Sequence, residues 1–375
     1  MSSSLTPASF VARTPSLLSV LTGLVDPRGR RGRRYPLVAI VAAGIAATLS
    51  GACSFAAMAS WLADQDEVTA VALGLDARRR MPNESVFRRL FARLDPLVLD
   101  GLIGAWMWTT TRLVAGRRVI AIDGKTVRGA RTAGAVAPHL VAAFDHTAGV
   151  VLGQLSVAAK TNEIPTVRTL LGILDIAGAV LTIDAMHTKD DTASLITDAG
   201  GDYVFTVKAN RPTLRAALKA VPWKDVPAHS YNEQTKGRRV RRTIKVVTVP
   251  AWVTFPGAVQ IAQLRRTVTV KGNTTVEVVY VITSADADPA TLASWIQGHW
   301  AVENKLHYVR DVALAEDASR VRTGHAPQIM ATLRNTAISL LRLTGVQNIT
   351  QALRHHGRRP DKIIKLLTST NGTLP

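Results

Sequence analysis

Apolar and polar positions divide the chain into helical, mixed and β-rich stretches. From Pro36 to Ala63 no residue is charged. The run PLVAIVAAGIAATLSGACSFAAMASWLA exceeds the roughly 18 apolar residues that mark a candidate transmembrane helix. The preceding RGRRGRR, Arg28 to Arg34, suits the positive-inside rule. Against a span, the run is mostly Ala, Gly and Ser, which transfer weakly into lipid. Gly51, with Ser50 and Ser54, should break it into two packed helices of a small-residue bundle. The helical pattern continues through SVFRRLFARLD, Ser85 to Asp95, to about residue 112. There Val86, Phe87, Leu90 and Leu94 recur at helical spacing while Arg88, Arg89 and Arg93 face elsewhere. That basic face is either solvated or turned toward DNA.

At Arg117 the period changes. RRVIAID is a short apolar run stopped at Gly124, as a buried strand would be. HLVAAFDH, GVVLGQLSVAA, AVLTID (ending at Asp184) and YVFTVKA read as further strands. PTVRTLLGILDI and Asp190 to Ala199 read as helices between them, giving an α/β order. Within residues 211–284, KGRRVRRTIKVVTVP and AVQIAQLRRTVTVKGNTTVEVVYVITS alternate at period two, with Lys271-Gly272-Asn273 as a hairpin turn, and predict a β-rich insertion. From Pro289 the pattern is helical again, first as one long helix, ATLASWIQGHWAVENKLHYVRDV, then as PQIMATLRNTAISLLRL.

Composition narrows the partner. The chain has 375 residues, 46 Lys+Arg against 27 Asp+Glu, and a formal net charge of +19. A polyanion is implied, nucleic acid or an anionic membrane surface. Cys53 is the single cysteine, which excludes an intrachain disulfide and a cysteine-rich zinc module.

Three carboxylates stand out. Asp123 and Asp184 each follow an apolar strand, at the carboxyl ends where open α/β sheets bind ligands. Converging there, they would repel unless a divalent cation sat between them, and hard oxygen ligands select Mg²⁺ or Mn²⁺. Turn-forming aspartates are the plainer alternative, since Asp-Gly is ordinary turn chemistry. Glu303 adds a third, on a helix with His299 at i−4 and His307 at i+4. Trp300 beside it reads most simply as a core residue. His187 either touches a metal-bound water or caps the following helix.

The strings AIDGKTVRGA, HLVAAFDHTAGVVLGQLSVAAKTNEIP, LTIDAMHT, GDYVFTVKAN and HWAVENKLHYVRDVALAEDASRVR resemble those of the H-repeat-associated, ISAs-type insertion-sequence transposases. DPRGRRGRRYPLVAIVAAGIAATLSGACSFAAMASW is similar to the region ahead of their catalytic domain. The resemblance runs from about Asp26 to Leu343. It implies an RNase H-like (retroviral-integrase-like) α/β core, interrupted by the β-rich insertion and preceded by an all-α amino-terminal domain. Expected divisions are 1–112 helical, 113–210 and 285–345 catalytic, 211–284 insertion, and 346–375 a basic tail. It implies a catalytic and metal-binding triad of Asp123, Asp184 and Glu303, holding two Mg²⁺ ions with Mn²⁺ as a substitute, for phosphodiester cleavage and strand transfer.

Lys125, Arg128, Lys160 and Lys208 follow core strands and are expected to neutralise phosphates. Positions of the superfamily's signature on the Glu helix fall on Ile296, His299 and Arg310, and the last two could contact DNA. Arg30, Arg31, Arg33 and Arg34, together with Arg238, Arg239, Arg241 and Arg242, complete the expected DNA contacts. Lys189 and Arg211 stand where the family pattern would have Gln. The implied partner is double-stranded DNA, terminal inverted repeats and target, bound by a homodimer in the cytoplasm on the nucleoid, with no membrane. A non-transposing nuclease of the same fold and a decayed DNA-binding remnant are the competing readings.

Overall fold

The computed structural model describes residues 14–111, 117–132, 136–158, 163–235 and 237–370. Its first part holds helices α1 (Leu17–Leu21), α2 (Leu37–Leu49), α3 (Phe55–Ala63), α4 (Glu67–Ala72), α5 (Glu84–Phe91) and α6 (Pro96–Thr110). The uncharged run is two elements. α2 ends at Ser50, and Gly51 adopts φ +91, a left-handed conformation that costs a glycine little. Ser54 then caps α3 by accepting from the Ala57 N–H. No described helix is long and apolar enough to cross a membrane. Small residues let α2 pack closely on its neighbours, and all of it but Val38 is buried. In α5, Phe87, Leu90 and Phe91 are buried while Arg88 and Arg89 are exposed.

Strands β1 (Val119–Thr126), β2 (His139–Asp145) and β3 (Val150–Val157) form an antiparallel meander. Helix α7 (Glu163–Ile173), strand β4 (Val180–Ile183), helix α8 (Asp190–Asp198) and strand β5 (Asp202–Val207) follow, with β1, β4 and β5 mutually parallel. After α9 (Pro212–Lys219) come β6 (Ala228–Thr235), β7 (Arg238–Thr248), β8 (Gln260–Val270) and β9 (Asn273–Thr283). The sequence pattern makes these four a separate insertion. In the structure they continue the same sheet, because β9 pairs antiparallel with β5 from Tyr280 to Thr283. One nine-stranded sheet results, in the order β3-β2-β1-β4-β5-β9-β8-β7-β6. Beyond Tyr280, residues 273–279 of β9 pair with β8 but not with β5. The outer strands therefore project past the core as an arm of roughly 20 Å.

Helix α10 (Pro289–Val302) covers one face of the sheet. Its Leu292, Ala293 and Ile296 share an apolar cluster with Val119, Val180, Val204, Ile244 and Val281. The predicted long helix does not stay α-helical. Glu303–His307 and Val309–Ala313 are π-helical. α11 (Ala326–Leu343) runs under β3 and α2, burying Ile329, Leu333, Ala337 and Leu340. The expected basic tail is α12 (Ile349–Gly357) and α13 (Pro360–Thr368), which pack back on α2, with Ile363, Leu366 and Leu367 buried.

Candidate active site

Period-two alternation fixes what each strand residue meets. Val119, Ala121 and Asp123 share one face of β1; Val180, Thr182 and Asp184 share it on and just beyond β4. Because Ile122 pairs with Ile183 in parallel register, Asp123 and Asp184 emerge next to each other. This is the face that α10 covers, and its stripe Leu292, Ile296, His299 runs on to Glu303 by steps of three and four. Asp123 lies within β1, which continues through Gly124 to Thr126, rather than at its end.

Two imidazoles line the carboxylates. His307 Nδ1 lies 3.1 Å from Glu303 Oε2 and 3.5 Å from Asp123 Oδ2. Asp123, Glu303 and His307 each offer a ligand atom within 4.8 Å of the others'. His299 Nε2 lies 3.6 Å from Asp184 Oδ1, and its Nδ1 sits 3.1 Å from the Thr182 hydroxyl, which also meets His146 Nε2 at 3.0 Å. Burial is the main cause that pushes the Asp123 carboxyl up to about 6, with Asp184 and Glu303 adding to it and His299 and the Gly124 N–H opposing. His299 holds Asp184 below the usual carboxylate range. Burial, helped by Arg310, pushes His307 down to about 4, so its ring is neutral near pH 7.

Behind Asp123 lies a second set, in which Glu163 has no role assigned from sequence and His187 meets Glu163 rather than capping the helix that follows. Glu163 Oε1 is 2.6 Å from His139 Nε2, Glu163 Oε2 is 3.2 Å from His187 Nε2, and His139 Nδ1 meets Thr126 Oγ1 at 2.8 Å. The two histidines hold Glu163 down to about 2. Glu163 thus ties the end of the β1–β2 pair to the turn after β4, the two places that carry Asp123 and Asp184. A Cβ at Gly124 would lie 2.6 Å from both Glu163 Oε1 and His139 Nε2, so a side chain here would displace that pair. The sequence signals are the histidines at the start of β2 and three residues after Asp184. Nothing local to KTNEIP says that Glu163 reaches both.

The remaining expected contacts divide. Arg30, Arg31, Arg33 and Arg34 are exposed, though Arg33 reaches Asp26 at 3.5 Å. Arg128, Lys208, Arg238, Arg239 and Arg241 are exposed as well. Lys125 is tied to Asp311 at 2.6 Å. Lys160 lies outside the described residues. Arg310, expected to face a phosphate, is 1% exposed; its guanidinium donates to Glu316, itself 0% exposed and shared with Arg334. Arg242 is also buried, lying 3.4 Å from Glu233 and over the Trp300 ring at 5.2 Å. Trp300 is correspondingly not a core residue but 38% exposed. Arg211, one of the two family departures, pairs with Asp190 at 3.0 Å.

The model of the family described as "Transposase DDE domain" matches residues 114–340, which include all three carboxylates. The chain belongs to the DDE transposase family. A second model, "DDE_Tnp_1-associated", matches residues 18–107 of this transposase, the stretch of α1 to α6. The H repeat-associated putative transposase YhhI of Escherichia coli K12 is 36% identical over 285 residues, 71% of this chain and 75% of YhhI. The putative transposase YncI of Escherichia coli O157:H7 is 34% identical over 283 residues, 70% of this chain and 71% of YncI. Among solved structures, the piggyBac transposase in its synaptic complex with hairpin DNA aligns at TM-score 0.42 and 12% identity, over 94% of this chain and 75% of that one.

Proposed function

We propose that this chain is a divalent-metal-dependent DNA transposase that cuts and joins the ends of its own insertion sequence, with Asp123, Asp184 and Glu303 as its triad. The observation that carries this reading is convergence: two aspartates level with each other on parallel strands, and a glutamate delivered by the helix covering that same face. The strand order β3-β2-β1-β4-β5, three antiparallel and then two parallel, supports an RNase H-like core. The helices of residues 17–110 would form the amino-terminal domain and the arm the insertion.

The donor set fits a hard divalent cation. The carboxylate oxygens are the right chemistry, and Asp123 is raised chiefly by burial, with Asp184 and Glu303 adding to it. A bound Mg²⁺ or Mn²⁺ supplies Lewis-acid stabilisation and makes a water or 3′-hydroxyl a nucleophile. His299, held by Thr182, orients Asp184. Glu163 holds the two aspartate-bearing segments together. The partner is duplex DNA, bound by a dimer that brings two ends together. The exposed Arg239, Arg241 and Arg265 are suited to its backbone.

The test is purified full-length protein with its terminal-repeat DNA and Mg²⁺ or Mn²⁺. Cleavage and strand-transfer products are expected, and Asp123→Asn, Asp184→Asn and Glu303→Gln should each remove both while retaining DNA binding. Cleavage without joining would mark a nuclease of the same fold. Full activity of Asp184→Asn would overturn the triad.

A further inference from the structure

We propose that His307 is itself a ligand of the cation held between Asp123 and Glu303, and that this half of the site takes Mn²⁺ in preference to Mg²⁺. The proposal rests on the preceding reading that the carboxylates hold cations, and adds a nitrogen donor that the triad lacks.

The geometry singles out one cluster. Asp123, Glu303 and His307 have ligand atoms mutually within 4.8 Å, and Asp184 is not among them. Asp184 is engaged on its other side by His299 at 3.6 Å. His307 is 3% exposed, and its Nδ1 faces both carboxylates, at 3.1 Å and 3.5 Å. Its Nε2 is buried with no hydrogen-bond partner. Nδ1 is within hydrogen-bond reach of Glu303, so the cost of burying this ring falls on the unpaired Nε2. The segment that presents it, Glu303–His307, is π-helical, a distortion frequent at functional sites.

Donor chemistry then sets the ion. Mg²⁺ prefers an all-oxygen shell and sheds water reluctantly; Mn²⁺ also favours oxygen but, as a first-row transition ion, tolerates an imidazole nitrogen better than Mg²⁺ does. One histidine therefore raises affinity for Mn²⁺ and adds little for Mg²⁺.

Full-length protein loaded with Mn²⁺ is studied by pulsed electron paramagnetic resonance, and Mn²⁺ and Mg²⁺ affinities are measured by titration and competition. A nitrogen coupling to bound Mn²⁺ is expected in the wild type and in His299→Gln, and should be absent in His307→Gln. That variant should lose about tenfold in Mn²⁺ affinity, with Mg²⁺ affinity nearly unchanged. Histidine labelled with ¹⁵N in the wild type should change the coupling, a check that needs no altered residue. Absence of coupling in the wild type, its survival in His307→Gln, or an equal loss of both ions overturns the proposal. The last outcome would make His307 a prop for Glu303. Asp123→Asn separates the two readings: it should abolish binding of both ions, and if it binds both at wild-type affinity the carboxylate reading itself fails.

Discussion

Asp123 and Glu163 are neighbouring carboxylates pushed in opposite directions. Glu163 has two imidazole partners that favour its charge, so it contributes stability above about pH 4.5 that is lost as pH falls toward about 2. Asp123 is buried beside two other carboxylates, so its proton is favoured up to about 6. Between about pH 4 and 6 the folded chain holds a proton there that the unfolded chain has released. Stability therefore falls as pH rises through that window. Asp123→Asn should raise the melting temperature of the metal-free protein by a few degrees at pH 7, on the order of 2 kcal/mol, with no gain at pH 4. Thermal scans at the two pH values check this, and added Mn²⁺ should narrow the difference by stabilising the wild type alone.

At the scale of elements, the segment after α10 is held from below. Arg310 and Arg334 are each 1% exposed and share the fully buried Glu316. This anchors the π-helical stretch carrying Glu303 and His307 to α11. Glu316→Ala would leave two buried guanidiniums without their anion, and should cost about 3–5 kcal/mol in chemical denaturation. The sequence does not reveal this, because nothing at Arg310 marks that the chain turns back to bring Glu316 beneath it. Nor does it distinguish α from π helix, since residues four apart fall on nearly the same face in both. What is legible comes from strict periods: the alternation of β7 to β9, the Lys271-Gly272 turn, and the apolar runs that place Asp123 and Asp184. The joining of β9 to β5 is not, because which edge a strand pairs with carries no local signal.

At the scale of the whole molecule, the basic side chains of the projecting strands divide between the two faces of the sheet. Even-numbered positions of β7, among them the buried Arg242 and Ile244, lie on the α10 side with the carboxylates. Arg239 and Arg241 lie on the opposite face, where β8 contributes Arg265 opposite Thr243. Lys224 lines the same groove, and none of its lining residues is acidic. For duplex DNA, replacing Arg239, Arg241 and Arg265 with Gln should reduce the slope of log affinity against log salt by about 2 to 3, near 0.9 for each phosphate no longer neutralised. Fluorescence anisotropy across a salt series would measure it. An unchanged slope would remove this face from the DNA path.

The continuity of the sheet also fixes a measure. An antiparallel strand rises about 3.4 Å per residue, so same-face neighbours lie about 7 Å apart, close to the separation of successive phosphates along one strand of DNA. Same-face neighbours such as Arg239 and Arg241 are thus about one phosphate step apart, like teeth of a comb cut to the pitch of the polymer. Because that comb is hydrogen-bonded through β9 and β5 to the strands bearing Asp123 and Asp184, it keeps a fixed place relative to those two carboxylates. If the proposed triad cuts DNA held on that face, the distance from grip to cut is set when the sheet forms rather than by the reach of a tether.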